Sequence, residues 1–242
     1  YPVEFMTALL NAESGDIERT AFLVTESKKT DIEVLPPDIN KSGAVFMPDL
    51  PAEASAKARG KNIRFGLSAI KNVGENIVQA IIENRERHGP FKDLASLLTR
   101  VQHKDLNKKS LESLIKCGAL DSFGIERNQA LSNIEELIRF ASTVKKEGKN
   151  GQTGLFGNQP SSLKLKDAPP ASLQEKLRWE KELLGLYVTE HPLNNLKPKI
   201  EQAKAKPITE VLANPIESQL CRVAGLVCEI KRVVTKNGKQ ML

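Results

Sequence analysis

Two short runs in this 242-residue chain combine the residue types that grip a phosphate. In Ile70-Lys71-Asn72-Val73-Gly74-Glu75-Asn76-Ile77, and again in Leu114-Ile115-Lys116-Cys117-Gly118-Ala119-Leu120-Asp121, an apolar residue and a lysine lead into a glycine, and a turn follows. Glycine lets the backbone approach a phosphate with no Cβ in the way. Where a helix starts just after it, the free N–H groups of the first turn and the helix dipole both favour the anion. Lys71 and Lys116 add point charges beside the turns. Such contacts go to the sugar-phosphate backbone, so they position a duplex without reading its sequence, and they weaken steeply with salt. The candidate DNA-contacting residues are Lys71, Asn72, Val73, Gly74, Glu75 and Asn76 in the first run, and Lys116 and Gly118 in the second. A glycine between helices is also an ordinary helix end. Asp121 puts a carboxylate near the second phosphate position, so the second run is the weaker and can serve mainly as the packing partner that completes a pseudo-twofold unit.

A third feature is of a different kind. Gln152-Thr153-Gly154-Leu155-Phe156 places two large apolar side chains inside a stretch of Gly, Asn and Gln. An extended peptide of this sort can seat Leu155 and Phe156 in a partner's pocket while the Gln152 amide bonds at the rim. Burying the pair is worth on the order of 4 kcal/mol before ordering costs. The bland alternative is a small cluster folded back on the chain's own helices.

Charge supports the first feature. From Ala56 to Gly118 there are 13 Lys/Arg against 6 Asp/Glu, whereas the rest of the chain has 23 against 24. The net charge of +6 therefore resides in about a quarter of the sequence, which suits a polyanion-facing module. Other chemistries find little support. No Ser or Cys nucleophile pattern accompanies His191, the three histidines are scattered without zinc spacing, and no apolar run approaches the ~18 residues of a membrane span. Cys117, Cys221 and Cys228 lack a CxxC pair and read as reduced thiols packed as small apolar residues. The acidic pairs Glu135-Glu136 and Glu180/Glu182 fall on helix positions expected to face solvent.

The elements that must position these groups are mostly helices. Residues 1 to about 30 read as two helices broken at Ser14-Gly15-Asp16, with Asp16 capping the second. "DIEVL" and "NIRFGL" are short strands, the first ended by Pro36-Pro37. Ile77, Val78, Ala80, Ile81 and Ile82 mark a helix after Gly74, stopped by Gly89-Pro90. Leu111, Leu114 and Ile115 share one face of a helix ending at Gly118. Arg127 to Lys146 reads as a single amphipathic helix, and 147–171 as a linker. Ser172-x-x-Glu175 is a capping box for the helix "LQEKLRWEKELLGLYV", with Trp179 on its core side. From Leu220 the pattern turns to β, and Asn237-Gly238 is a hairpin signal.

Taken in order, "IRFGLSAIKNVGENIVQAIIENRERHGPFKDLASLLTRV", "LNKKSLESLIKCGALDSFG", "QTGLFG", "LRWEKELLGLYVTEHPL" and "VAGLVCEIKRVVTKNGK" resemble the C-family bacterial replicative DNA polymerases. The opening "YPVEFMTALLNAESGD" and "IEVLPPDIN" resemble the end of that family's fingers region. The resemblance implies a mainly α chain: 1–55 the C-terminal part of the fingers, 56–213 a clamp-binding domain with tandem helix-hairpin-helix motifs (about 64–125) and a clamp-binding loop (about 147–171), and 214–242 the start of an OB-fold, truncated, with "TKNGK" as its first hairpin. It implies duplex DNA as one partner. It implies the sliding clamp, or beta subunit, as another, held through Gln152, Leu155 and Phe156. Other replicase subunits would be reached through the full-length protein, in the bacterial cytoplasm and away from any membrane. Gly154 departs from the bulkier residue expected there. The catalytic palm and its Mg2+ would lie upstream, so no catalytic residue, metal site or cofactor is expected here, and the chain alone should not polymerise. A non-catalytic clamp-partner scaffold and an error-prone paralogue are the alternatives.

Overall fold

The break at residues 14–16 forms as its chemistry requires. α1 (Pro2–Ala12) opens with a proline at its first position, and α2 (Ile17–Lys29) starts where the Asp16 carboxylate accepts from Glu18 N and Arg19 N at 2.9 and 3.0 Å. The computed structural model describes residues 1–49, 62–150, 163–213, 220–227, 233–234 and 240–241.

Three short strands follow: β1 (Glu33–Leu35), β2 (Met47–Asp49) and β3 (Asn62–Arg64). β3 lies in the middle, parallel to β1 and antiparallel to β2. β2, which carries Pro48, was not expected from the sequence. A proline cannot donate to a ladder and is tolerated at a sheet edge, which is where β2 sits. Because β3, beyond residue 55, pairs with β1 and β2, which both precede it, the compact unit Tyr1–Thr189 runs across the domain boundary expected at 55/56. Phe46 and Phe65 meet edge-on at 4.6 Å beneath this sheet.

The helical part comprises α3 (Glu75–His88), α4 (Leu94–Arg100), α5 (Lys108–Lys116), α6 (Arg127–Ser132), α7 (Ile134–Asn150) and α8 (Leu173–Leu184). Ile77, Ile81, Leu97, Leu98, Leu111, Leu114 and Leu137 are fully buried in one continuous core with Ile63 and Leu67. Each such side chain is worth about 1.5–3 kcal/mol relative to exposure, so the core holds the two turns at residues 70–74 and 117–121 in place. The capping box expected at Ser172 and Glu175 forms on α8, and Asn107 and Ser110 form another on α5. Trp179 is buried as expected.

Two expectations are corrected. The helix expected from Arg127 to Lys146 is two helices, because the Asn133 side chain is committed elsewhere. Its Nδ2 donates to Gln129 O and Lys166 O, and its Oδ1 accepts from Lys166 N at 2.9 Å. The other half of that pairing corrects the linker. α7 continues to Asn150, and residues 163–171 are an extended strap held on α6 by Asn133, by Asn128 donating to Pro169 O, and by Glu126 accepting from Ala171 N. Only 151–162 of the expected loop, including Gln152, Leu155 and Phe156, lie outside the described residues.

A second unit spans Glu190–Leu242. It contains α9 (Lys197–Gln202), α10 (Ile208–Ala213) and an antiparallel pair, β4 (Val233–Val234) with β5 (Gln240–Met241). That pair flanks "TKNGK", as the hairpin signal requires. The β pattern expected from Leu220 does not give a strand at residues 220–227, where Leu220 and Val227 are exposed. The Arg222 carbonyl accepts from Lys206 N at 2.8 Å, but among the described residues no strand pairs with this stretch. No helix among the described residues is long and apolar enough to cross a membrane.

Candidate nucleic-acid interface

The first turn is pinned from below and open above. Ile70 and Val73 are buried, as is Ile77 one turn into α3, whereas Lys71, Asn72, Gly74, Glu75 and Asn76 are exposed. The Lys71 N–H donates to Leu183 O at 3.0 Å, which ties the turn to α8. Asn72 takes the left-handed conformation at φ 68°, and its Nδ2 donates to Ser113 Oγ at 3.2 Å, which ties the turn to α5. Gly74 then serves as the N-cap of α3 without a capping side chain. Its φ of −76° suits any residue, and a Cβ built there meets nothing within 4 Å. Neither backbone strain nor internal packing calls for glycine. What the missing Cβ leaves is an unobstructed approach from outside to the first N–H groups of a 14-residue helix. Glu75 in the first turn favours the helix and opposes an anion, so Lys71 is the group that offsets it.

The second turn is closed. Gly118 N donates to Ile115 O and Ala119 N to Leu114 O, at 3.1 and 3.0 Å, the paired bonds of a Schellman helix end. Gly118 has φ 84°, and a Cβ there would run into the Arg127 guanidinium and lie 2.9 Å from Asp121 Oδ2. This glycine is required from inside. Arg127, buried between α5 and α8, donates to Asp121 through Nε and Nη2 and to Lys116 O through Nη1, with Glu180 at 3.8 Å. Burial pulls its basicity down, but the hydrogen bonds and charge of Asp121 and the charge of Glu180 outweigh that and hold it above the usual guanidinium range. The slot where a phosphate would sit is filled by the chain's own ion pair. Val73 is buried, Lys116 half-buried and Gly118 buried, so these three expected contacts are not displayed as Lys71, Asn72, Gly74, Glu75 and Asn76 are.

Glu180 is a further correction. It is not solvent-facing: it is fully buried and accepts from Val188 N, Thr189 N and Thr189 Oγ1. The hydrophobic run around it hid this, since the acceptor is needed by a backbone turn eight residues away. Glu135 and Glu136 are exposed as expected. Cys117 packs as a small apolar residue, and burial pushes its thiol up to about 12, whereas Cys221 is exposed.

The local charge excess also divides. Arg64 is taken up by Asp49 and Pro36 O, Arg85 by Ile39 O, and Lys108 by Glu135. Arg100 donates to Asn84 Oδ1, Gly89 O and Pro90 O and lies over the Phe91 ring at 4.4 Å. These cations secure carbonyls at helix ends and loops. Lys71, Lys92, Lys104 and Lys109 remain exposed and form no ion pair among the described residues.

Comparison with known proteins agrees with this geometry. Residues 31–130, from just before β1 into α6, match a family described as the helix-hairpin-helix motif. Over its whole length the chain is 40% identical to the DNA polymerase III subunit alpha of Thermus aquaticus, covering 19% of that protein. It is 37% identical over its whole length to the same subunit of Deinococcus radiodurans, covering 18% of it. With that of Mycobacterium tuberculosis it shares 34% over 98% of its residues, covering 20% of the relative. The chain therefore spans about one fifth of the length of these curated relatives, in order and without a large gap, and it belongs to the DNA polymerase III alpha-subunit family.

Proposed function

We propose that this chain is the part of a replicative DNA polymerase that grips the duplex and docks the sliding clamp, nucleotide transfer being carried out by residues outside it. The observation that carries the DNA-binding part is the state of Gly74: a glycine with ordinary φ and free space around it, at the open N-terminus of α3, next to the exposed Lys71. A residue that internal structure does not require is explained by what approaches from outside. Backbone phosphate of duplex DNA is the ligand that a bare helix N-terminus, a missing Cβ and a lysine suit together. The matched helix-hairpin-helix region supports the same reading.

Clamp docking rests on Gln152, Leu155 and Phe156 and on the way their surroundings are tied. The strap at 163–171 is fixed to α6, and α7 runs to Asn150, so in sequence these three residues lie between two elements of the folded unit. A weak peptide contact joined to a DNA contact in the same chain gains from effective concentration, which suits processive yet releasable synthesis. Residues 214–242 are assigned to the start of an OB-fold on the strength of the β4–β5 hairpin. Among the described residues, Glu180 is consumed by the turn at Val188–Thr189 and Glu135 is engaged by Lys108, so neither is placed to hold a pair of metal ions. Mg2+ and the aspartates that hold it belong elsewhere in the polymerase.

Two measurements test the proposal. Reversing Lys71 to Glu together with Gly74→Val is expected to weaken duplex binding roughly tenfold, equally across unrelated sequences. Unchanged affinity would remove the first turn from the interface. Replacing Gln152, Leu155 and Phe156 together by Ala is expected to abolish capture by the sliding clamp and leave duplex affinity intact. Retained capture sinks the docking assignment.

A further inference from the structure

Two open clefts lie side by side at the far end of α3 from Gly74. The larger, about 530 Å³, is lined by Asn84, His88, Pro90, Lys92, Ser96 and Arg100 and contains no carboxylate. The smaller, about 230 Å³, shares Asn84, His88 and Arg100 with it and adds Arg87, Gln102 and His103. Its one carboxylate, Glu83, is engaged by Gln79 at 3.2 Å and faces Arg87 at 3.9 Å. A chain of contacts links the smaller cleft to the first turn. Asn76 donates to Asp105 at 3.4 Å, Asp105 lies 3.7 Å from His103, and His103 lines the smaller cleft.

The donors in this trough are set for an acceptor. His103 Nδ1 accepts from the Asp105 N–H at 3.2 Å, which leaves the ring proton on Nε2. His88 Nδ1 lies 3.2 Å from Asn84 O and donates to it, so in the neutral ring Nε2 is an acceptor and His88 adds no donor to the cleft. Lys92 is exposed and forms no ion pair among the described residues. We infer that this trough carries a second set of duplex backbone contacts, so that the DNA track runs from Gly74 along the whole of α3 to Lys92. This inference rests on the duplex reading of the first turn. The shape agrees: an open trough admits a polymer lying along it, whereas a small anion is held best in an enclosed pocket. The length agrees too. Fourteen helical residues span about 21 Å, roughly six base pairs of duplex at 3.4 Å each.

The test is the salt dependence of binding to a duplex of about 20 base pairs, long enough to cover both sites. The double variant Arg87→Glu, Lys92→Glu alters two exposed side chains away from the core. It is compared with Lys71→Glu and with a control, Lys28→Glu, Lys29→Glu, which makes the same change in net charge at the end of α2. The expected result is a loss on the order of tenfold at moderate salt for the trough variant, with the log–log salt slope reduced by about 2, and little change for the control. A trough variant that binds like the unaltered chain while Lys71→Glu weakens binding overturns this inference and leaves the first-turn reading standing. Equal losses in control and trough variant overturn it as mere net charge. If Lys71→Glu has no effect, the first-turn reading fails, and a continuous track fails with it.

Discussion

The two turns of the tandem motif carry glycines that do opposite jobs. Gly118 is needed by the protein: its φ of 84° and the Arg127 guanidinium against its Cα leave no room for a side chain. Gly74 is needed by nothing within 4 Å. One motif copy has been turned inward, its anion slot occupied by Asp121 and Arg127, and the other faces out. The comparison teaches that a glycine in a phosphate-binding turn shows its role only when the surroundings of its missing Cβ are known. The closed copy supplies the rigid base, through Ser113 to Asn72 and through the α5 packing, on which the open copy is held.

The sharpest way to break this contrast is Gly118→Val. Forcing a branched residue into the left-handed region and into Arg127 is expected to cost about 4 kcal/mol, read as a shifted denaturation midpoint at unchanged slope. A loss under about 1 kcal/mol would mean the closed turn is softer than its contacts imply. An effect of similar total size, confined to alkaline pH, comes from Cys117, which sits in the same closed turn. Its thiol is raised from 9.0 to about 12 on folding, so the unfolded chain releases its proton first. Stability is therefore full below pH 9 and declines between 9 and 12, by up to about 1.4 kcal/mol per pH unit. Cys117→Ala should remove that decline, and in the native chain alkylation should reach Cys221 well before Cys117. The smallest expected change in stability is at the open turn. Gly74→Ser supplies the missing cap and should raise stability by a few tenths of a kcal/mol, about 0.5 at most, while duplex affinity falls. Opposite signs at one residue would mark a position held for its ligand rather than for the fold.

Much of the fold was legible because it is governed by local chemistry. Asp16, the Ser172 cap, the stop at Gly89-Pro90 and the apolar faces of α3 and α5 each follow from neighbouring residues. What was missed shares the opposite property. β2 exists because β3 accepts it across a long connection, and Asn133 ends α6 because Lys166 lies against it. Glu180 is buried because a turn eight to nine residues later needs its acceptors.

The sequence by itself determined that two lysine–glycine turns lie in the basic quarter of the chain, that helices flank them, and that a Leu-Phe pair stands in a polar loop. Residue type and spacing suffice for this, since capping, periodicity and charge act within a few residues. Only the tertiary structure decided which turn is open. Lys71 and Lys116 look alike in the sequence, and so do Gly74 and Gly118. Their difference lies in Arg127, folded back from nine residues beyond Gly118 to fill one slot, while no side chain crosses the other. Which cations remain for a polyanion was settled the same way, because Arg64, Arg85 and Arg100 found carbonyls and carboxylates that lie far from them in sequence or across a turn.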